Sequence, residues 1–402
     1  MQIKRQLFFL HIYNFLFSLR IADGVWVVFL LSRGFSLAQV GIAESVFHIV
    51  SFLFEVPSGM MADLLGRKRT LVVSSFCGML SALSMAFSAD FFGVCLAMVF
   101  QALMYNFCSG TQEALTYDSL KSADAEGTYL KHNAWLRGAS QVSASLSSLL
   151  GGAAALLGYF PAYAITALCS CACGAAALAL TEPQVTETQR QRTAHPFAQL
   201  GPRLRTHIVE SVLFLRRNRR ASWKILASAA VATPIYLTYM YLQQHLLDTG
   251  LPSLFLGAAL MVLRLAGTGG TAWGAKVKLA LYPCGVICGL LCGGATLMAG
   301  CAWWPLALLG GCAAQCFFNL LDLRLDVALN DAFPSDQRAT LVSVSSMAYS
   351  LFMIAASPVS GAVGDALGTP WAFWILGTAL ILLTVAGAVG FRPQKCKTKK
   401  AS

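Results

Sequence analysis

Most of the groups in this chain with acid–base or ionic chemistry sit singly inside long apolar runs. Arg20 and Asp23 lie three residues apart. At that spacing on a helix they can neutralise one another. Glu44, His48 and Glu55 fall on one face of a second apolar stretch, by the 3.6-residue helical period. Glu113 lies in a later one, which ends on Asp118. Asp322 and Asp326 are one helical turn apart, on a face that also carries Asn319 and Asn330. Arg264 and Arg324 are the remaining isolated cations of the second half. Carboxylates crowded in a poorly hydrated layer cannot all remain charged cheaply, and that suits reversible proton binding. Glu113, Asp322 and Asp326 are the candidates for it. Arg264 and Arg324 would neutralise some of these acids or meet an anionic solute. No arrangement of nucleophile, base and acid suggests covalent catalysis, so an enzyme is not expected. The 13 cysteines are scattered through apolar runs. Cys169, Cys171 and Cys173 stand in an alanine-rich stretch without His or acid, and read as small packing residues. No disulfide framework, metal site or other cofactor is expected.

What must position these groups is a membrane-embedded scaffold. The 402 residues are 57% hydrophobic and 12% charged, and the mean hydropathy is +0.64. A soluble domain cannot hide so much apolar surface, whereas a bilayer is itself an apolar solvent. Twelve stretches are long enough to span, over about 7–31, 36–62, 70–88, 92–118, 132–156, 159–181, 223–247, 252–275, 279–300, 303–330, 340–363 and 370–391. The long connection divides the chain into an N-terminal six-helix bundle (1–181), a linker (182–222) and a C-terminal six-helix bundle (223–402). After Lys4 and Arg5 the first apolar run is too long for a cleavable signal, and no small-residue cleavage site follows.

The net charge of +11 is a topology signal. With both termini in the cytoplasm, every Lys and Arg lies on that side except Arg33 and the helix-interior Arg20, Arg137, Arg264 and Arg324. This distribution argues against nucleic acid as a partner. Lipid is expected around the chain, and a monomer. Helices three, six, nine and twelve have no charged residue in their interiors. That marks every third helix as the lipid-facing member of its group, because a charge facing hydrocarbon costs at least a few kcal/mol. The halves also echo each other. Helix four ends on Glu113 and Asp118, helix ten on Asp326 and Asp331, each pair five residues apart. Repeated halves place a shared site near the midplane.

Between helices two and three stands Gly59-Met-Met-Ala-Asp63-Leu-Leu-Gly66-Arg67-Lys68-Arg69. This resembles the signature loop of the major facilitator superfamily. With the helix count, long linker and repeats, the resemblance covers the whole chain. It implies an all-α integral membrane fold of twelve transmembrane helices in two pseudo-symmetric bundles. It also implies a gate built on Gly59, Asp63, Gly66, Arg67, Lys68 and Arg69. Gly59 would allow close helix approach. Asp63, unfavourable at its own helix C-terminus, would pair with Arg67 or with the start of helix eleven near Arg338-Ala-Thr340. Helices one, four, seven and ten would surround a central cavity, so that Arg20, Asp23, Gln101, Tyr105, Asn106, Tyr236, Gln243 and Asn319 are the expected substrate contacts. Two departures stand out. The second half lacks a good copy of the loop. Helix five carries Ser143, Ser145, Ser147, Ser148, Gly151 and Gly152 where family exporters often have Gly-Pro-x-x-Gly-Gly. The stripe Ser140, Ala144, Ser148, Gly152 still offers small residues for close packing. The wording around Glu55 and Glu113 is similar to a bacterial branch labelled as drug or small-solute permeases. The expected function is therefore proton-coupled secondary transport of a small organic solute across the bacterial cytoplasmic membrane by alternating access. Export of drug-like amphipathic compounds leads, uptake by symport is the alternative, and a non-transporting sensor or scaffold is the reading from another class.

Overall fold

The structure is a computed structural model; it describes residues 2–183, 218–330 and 338–390, together with Val209, Leu213 and Arg216. Asp331, the lysine-rich tail and most of the linker lie outside the described residues. Among the described residues all regular structure is helical. The spanning elements are α1 (Ile3–Ser32), α2 (Leu37–Leu65), α3 (Arg67–Phe87), α4 (Phe91–Lys121), α5 (Tyr129–Leu157), α6 (Tyr159–Leu178), α7 (Arg219–Asp248), α8 (Leu256–Gly274), α9 (Leu281–Ala299), α10 (Trp304–Asn330), α11 (Arg338–Leu367) and α12 (Thr369–Gly390). Eleven of them are long and apolar enough to cross a bilayer. The other, α5, has the length, but Lys131, His132, Asn133 and Arg137 make its first half polar.

Local signals set the boundaries. Ser36 opens α2 with a reciprocal capping box to Gln39. Asp90 caps α4 by accepting the Gly93 amide at 2.9 Å. Gly66, Gly158 and Gly368 take positive φ at the tight α2–α3, α5–α6 and α11–α12 corners.

Two helices expected to be continuous are broken. α1 consists of Ile3–Ser18 and Trp26–Ser32, joined by a tight turn at Ile21–Gly24. α4 consists of Phe91–Cys108 and Thr111–Lys121, parted where Gly110 adopts a left-handed φ of 68°. A break inside a membrane must find other donors for its carbonyls. The serines of α5 supply them at α1: Ser143 Oγ donates to the Phe15 carbonyl at 2.7 Å and Ser147 Oγ to that of Ser18 at 3.3 Å. The hydroxyl-rich α5 thus has a structural reason that composition alone did not reveal.

Within each half, α3 packs on α6 and α9 on α12, at the flanks of the molecule. The halves meet through α2 on α11, α5 on α8 and the second part of α1 on α7. We name the membrane side holding the start of α1 and the end of α12 the terminal side, and the opposite one the far side. The core shared by both halves lies toward the far side and includes Val28, Leu30, Val40, Leu242, Leu260 and Met353. There a Cβ on Gly41 would overlap the Ser357 carbonyl, and one on Gly152 would overlap the Gly257 backbone. Asp365, at the far end of α11, accepts the Leu37 and Ala38 amides that open α2, both at 2.8 Å. Toward the terminal side each half keeps its own cluster, around Tyr13 and Leu115 in one and Ile225 and Leu341 in the other. Among the described residues, the apolar core that joins the halves lies toward the far side, and the terminal-side clusters stay within one half each.

Candidate functional site

The α1 break places Arg20 and Asp23 at mid-membrane, where they form an ion pair. Arg20 is buried, its Nη1 donating to Met104 Sδ at 2.7 Å, and its guanidinium lies 5.6 Å from the Tyr105 ring centroid. The Tyr105 hydroxyl reaches Asp23 at 3.5 Å. Gln101 lines the same recess with Trp26, Met85, Tyr163 and Thr166. The recess holds a cavity of about 10 Å³, room for one water. From the other half, Arg264 on α8 donates to Ser148 Oγ of α5 at 2.8 Å and lies 5.5 Å from the Tyr239 ring centroid. Among the described residues no carboxylate is within salt-bridge distance of Arg264, unlike Arg20 and Arg67. Gln141 on α5 donates to Thr268 of α8 at 2.9 Å. The centre is thus polar on both sides: two guanidiniums, one carboxylate, phenols and an amide. Gln243 on α7 is fully buried with neither side-chain polar atom hydrogen-bonded among the described residues.

Other expected cavity residues do structural work. Asn106 is buried between α4 and α2, accepting from Ser51 Oγ at 2.9 Å and donating to the Ser51 carbonyl at 2.8 Å; it is taken up by packing rather than offered to solute. Asn319 donates to the Gln315 carbonyl at 2.8 Å, where α10 crosses α8 at Gly267. Arg324 neutralises no acid in the described structure: it donates to the Val277 and Leu279 carbonyls at 2.8 and 2.6 Å, clamping the α8–α9 turn. Tyr236 lies within electrostatic reach of Glu44.

The three carboxylates read as proton carriers are not shut away from water. Glu113, Asp322 and Asp326 are all exposed on the terminal side. Glu113 has Cys108 and Tyr129 as neighbours, whereas Asp322 has Asp326 and Ser228. The occlusion anticipated for them is absent in this conformation. Glu44 and His48, by contrast, are buried against each other, with His48 Nε2 3.3 Å from Glu44 Oε1. Glu55, further along α2, accepts from Ser346 Oγ of α11 at 2.9 Å.

In the α2–α3 loop, Arg67 pairs with Asp118 of α4 and donates to the Ala114 carbonyl. Glu182, beyond α6, accepts the Arg67 and Lys68 amides at 2.9 and 2.7 Å and so caps α3. Both contacts brace one half internally. Asp63 is exposed, as is Arg69. A Cβ added at Gly59 would meet nothing within 4 Å, so this glycine provides no close approach here; Gly41, Gly361 and Gly152 do. The side chains of 338–340 lie outside the described residues. Sequence reasoning missed Asp365 and the central Arg264–Ser148 contact across the halves, because no local motif signals a partner from the other half.

A family model described as Major Facilitator Superfamily matches residues 12–328. An uncharacterized MFS-type transporter, YxaM of Bacillus subtilis (strain 168), is 23% identical over 401 residues, covering 96% of each chain. The fold is similar to that of the nucleoside transporter NupG, with a TM-score of 0.74 at 16% identity, covering 98% of this chain and 100% of that one. It is also similar to a D-xylose-proton symporter, with a TM-score of 0.73 at 12% identity and 98% of each chain covered. The match to the family model over most of the chain, on a twelve-helix scaffold with a central polar site, establishes that this protein belongs to the major facilitator superfamily and is a multi-pass membrane transporter, not an enzyme.

Proposed function

We propose that the protein carries a small polar solute across the bacterial cytoplasmic membrane by proton-coupled alternating access, with the terminal side facing the cytoplasm. The observation that supports this most directly is the chemistry of the midplane. Arg264 projects into the seam against a hydroxyl and an aromatic ring; the acid that acts on it, Asp23 of the other half, lies beyond salt-bridge distance and is paired with Arg20. A cation drawn into the protein with only a distant, shared counter-charge is costly, and a solute bearing a carboxylate, phosphate or other strong acceptor would relieve that cost. Arg20, held by Asp23, and the Tyr105 and Gln141 side chains supply further hydrogen bonds. A drug-like amphipathic cation would find fewer complementary groups here, so uptake or exchange of a polar solute is favoured over drug export. Two transporters of similar fold carry polar solutes, a nucleoside and D-xylose. In the conformation described, the far side is sealed by α2 on α11 and α5 on α8, and solute would enter or leave through the terminal-side opening. The second conformation would part those seams and close the α2–α3 loop of Gly59–Arg69 against the start of α11.

A thermal-shift screen of the detergent-purified protein against polar anions, sugars, nucleosides and lipophilic cations tests this reading. Stabilisation by a polar or anionic class that disappears in Arg264→Ala supports it. Stabilisation by lipophilic cations alone, unchanged in Arg264→Ala, overturns it in favour of drug export.

A further inference from the structure

Among the described residues, an acid and an imidazole are deeply buried together outside the central site. Glu44 and His48 lie one turn apart on α2, at 3% and 4% exposure, where α2 meets α11 of the other half. His48 presents its second nitrogen, Nδ1, to Ser350 Oγ of α11 at 3.4 Å. The Tyr349 ring of α11 meets the imidazole edge-on at 5.3 Å between centroids. From α7, which belongs to the same half as α11, Tyr236 faces Glu44 within electrostatic reach. Tyr241, on the same helix, donates to the Ser357 carbonyl at 3.0 Å and is within electrostatic reach of Glu44. From α4 the group facing this cluster is Tyr105, through Phe47 at 5.9 Å. No Lys or Arg lies within salt-bridge distance of Glu44 or His48 among the described residues. An acid and a base of one half are thus enclosed by hydroxyls and rings of the other.

We propose that the Glu44–His48 pair is the proton-binding element of the cycle, and that it makes closure of the far side conditional on one proton. The proposal rests on the proton-coupled reading above. In water near neutral pH an exposed pair would be carboxylate and neutral imidazole, a net charge of −1. Sealing that charge in the seam is expensive, because neither lipid nor the neighbouring phenols replace its hydration. Uptake of one proton from far-side water gives imidazolium and carboxylate, with net charge zero. His48 then donates from both ring nitrogens: Nε2–H to Glu44 Oε1 and Nδ1–H to Ser350 Oγ. The second bond crosses between the halves and is charge-assisted. When the seam parts, water returns and the same proton leaves. The sealed state holds one proton more than the open one, so acid favours far-side closure and alkali favours opening. Asp365 on the same seam has the opposite sign. It holds the seam by accepting two amides as a carboxylate, and protonating it would loosen the far side. The direction of the pH response therefore separates the two.

The test reads the far-side gap by pulsed electron–electron spin resonance. Spin labels are attached to Phe92→Cys, in the first turn of α4, and Trp303→Cys, immediately before α10, which lie on the far side in opposite halves and are 75% and 64% exposed. The full chain in nanodiscs, in a cysteine-free background, is measured from pH 5 to pH 9, limits set by the reference values of the acid and imidazole. The label pair should shorten as pH falls. Glu44→Gln leaves a neutral pair without the proton at neutral and alkaline pH, so the short distance should persist there and the shortening as pH falls should be lost. His48→Gln leaves a lone acid, and the midpoint should move about one pH unit or more toward acid. Tyr236→Phe, a milder change that removes only one hydroxyl, should displace the midpoint if the larger replacements fail to fold. Glu55→Gln should respond as the wild type does. If the wild type responds to pH but Glu44→Gln, or Tyr236→Phe in its place, responds identically, the pair is not the proton site. Loss of the response in Glu55→Gln alone would likewise overturn the proposal. If the wild type shows no response at any pH, the proton-coupled reading itself falls, and this inference with it.

Discussion

Arg20 and Asp23 show why spacing needs context. Three residues apart on a regular helix they would be an ordinary surface pair worth a few tenths of a kcal/mol. Here they flank a break in α1, and Arg20 is buried against Met104 and Tyr105. Removing the acid would leave an almost enclosed guanidinium without its counter-charge. Asp23→Asn is therefore expected to destabilise the protein by about 3 kcal/mol, the lower end for a broken buried pair, because Asp23 keeps 23% of its side chain exposed. The melting temperature in detergent should fall by several degrees and be partly recovered in the Arg20→Met, Asp23→Asn double variant, which removes both charges. An unchanged melting temperature in Asp23→Asn would mean that Arg20 finds another partner. By the same logic Arg67 is satisfied inside its own half by Asp118, which makes it a brace for α3 and α4.

At the level of elements, the far-side seal depends on two devices. One is steric: α2 and α11 approach so closely at Gly41 and Gly361 that added side-chain atoms would overlap the facing backbone at Ser357 and Leu37. The other is electrostatic: Asp365 of α11 caps the N-terminus of α2, where a carboxylate satisfies open amides and the positive end of the helix dipole. A cysteine replacing the fully buried Ser357 reports on both through its rate of reaction with a maleimide. Losing a cap costs about 1 kcal/mol, so adding Asp365→Ala should speed labelling about fivefold. Gly41→Ala, which forces the backbones apart, should speed it more. Equal rates in all three proteins would show that α5 on α8 alone holds the far side closed.

At the scale of the molecule, the described residues of the two six-helix halves share an apolar core on the far side and keep separate clusters on the terminal side, with the polar site between them. The proposed orientation, with the terminal side in the cytoplasm, rests on the crowding of Lys and Arg at that side. A periplasm-dependent reporter fused after Ser402 should be silent, and one fused to a chain truncated after Asp90 should be active. The reverse pattern would invert the orientation, and with it the direction of the proton cycle.

The chain by itself was enough to reveal the helices, their number, the two halves and the α2–α3 motif. Each of these is local: an apolar run of spanning length, a basic loop, a glycine at a corner. The Arg20–Asp23 pair and the shared face of Glu44, His48 and Glu55 were also legible, since helical period alone aligns them. Only the tertiary structure decided which of these groups are hidden. Glu113, Asp322 and Asp326 stand in apolar sequence yet are exposed, because the halves part around them. Asn106 looks like a cavity residue but is spent on Ser51. The breaks in α1 and α4 escape hydropathy, which averages over a turn, and depend on hydroxyls of α5 and on the φ of Gly110. Asp365 capping α2 and Ser350 facing His48 join residues more than 300 positions apart. Solvation and partnership are set by what the other half brings to the seam, and no periodicity within one helix carries that information.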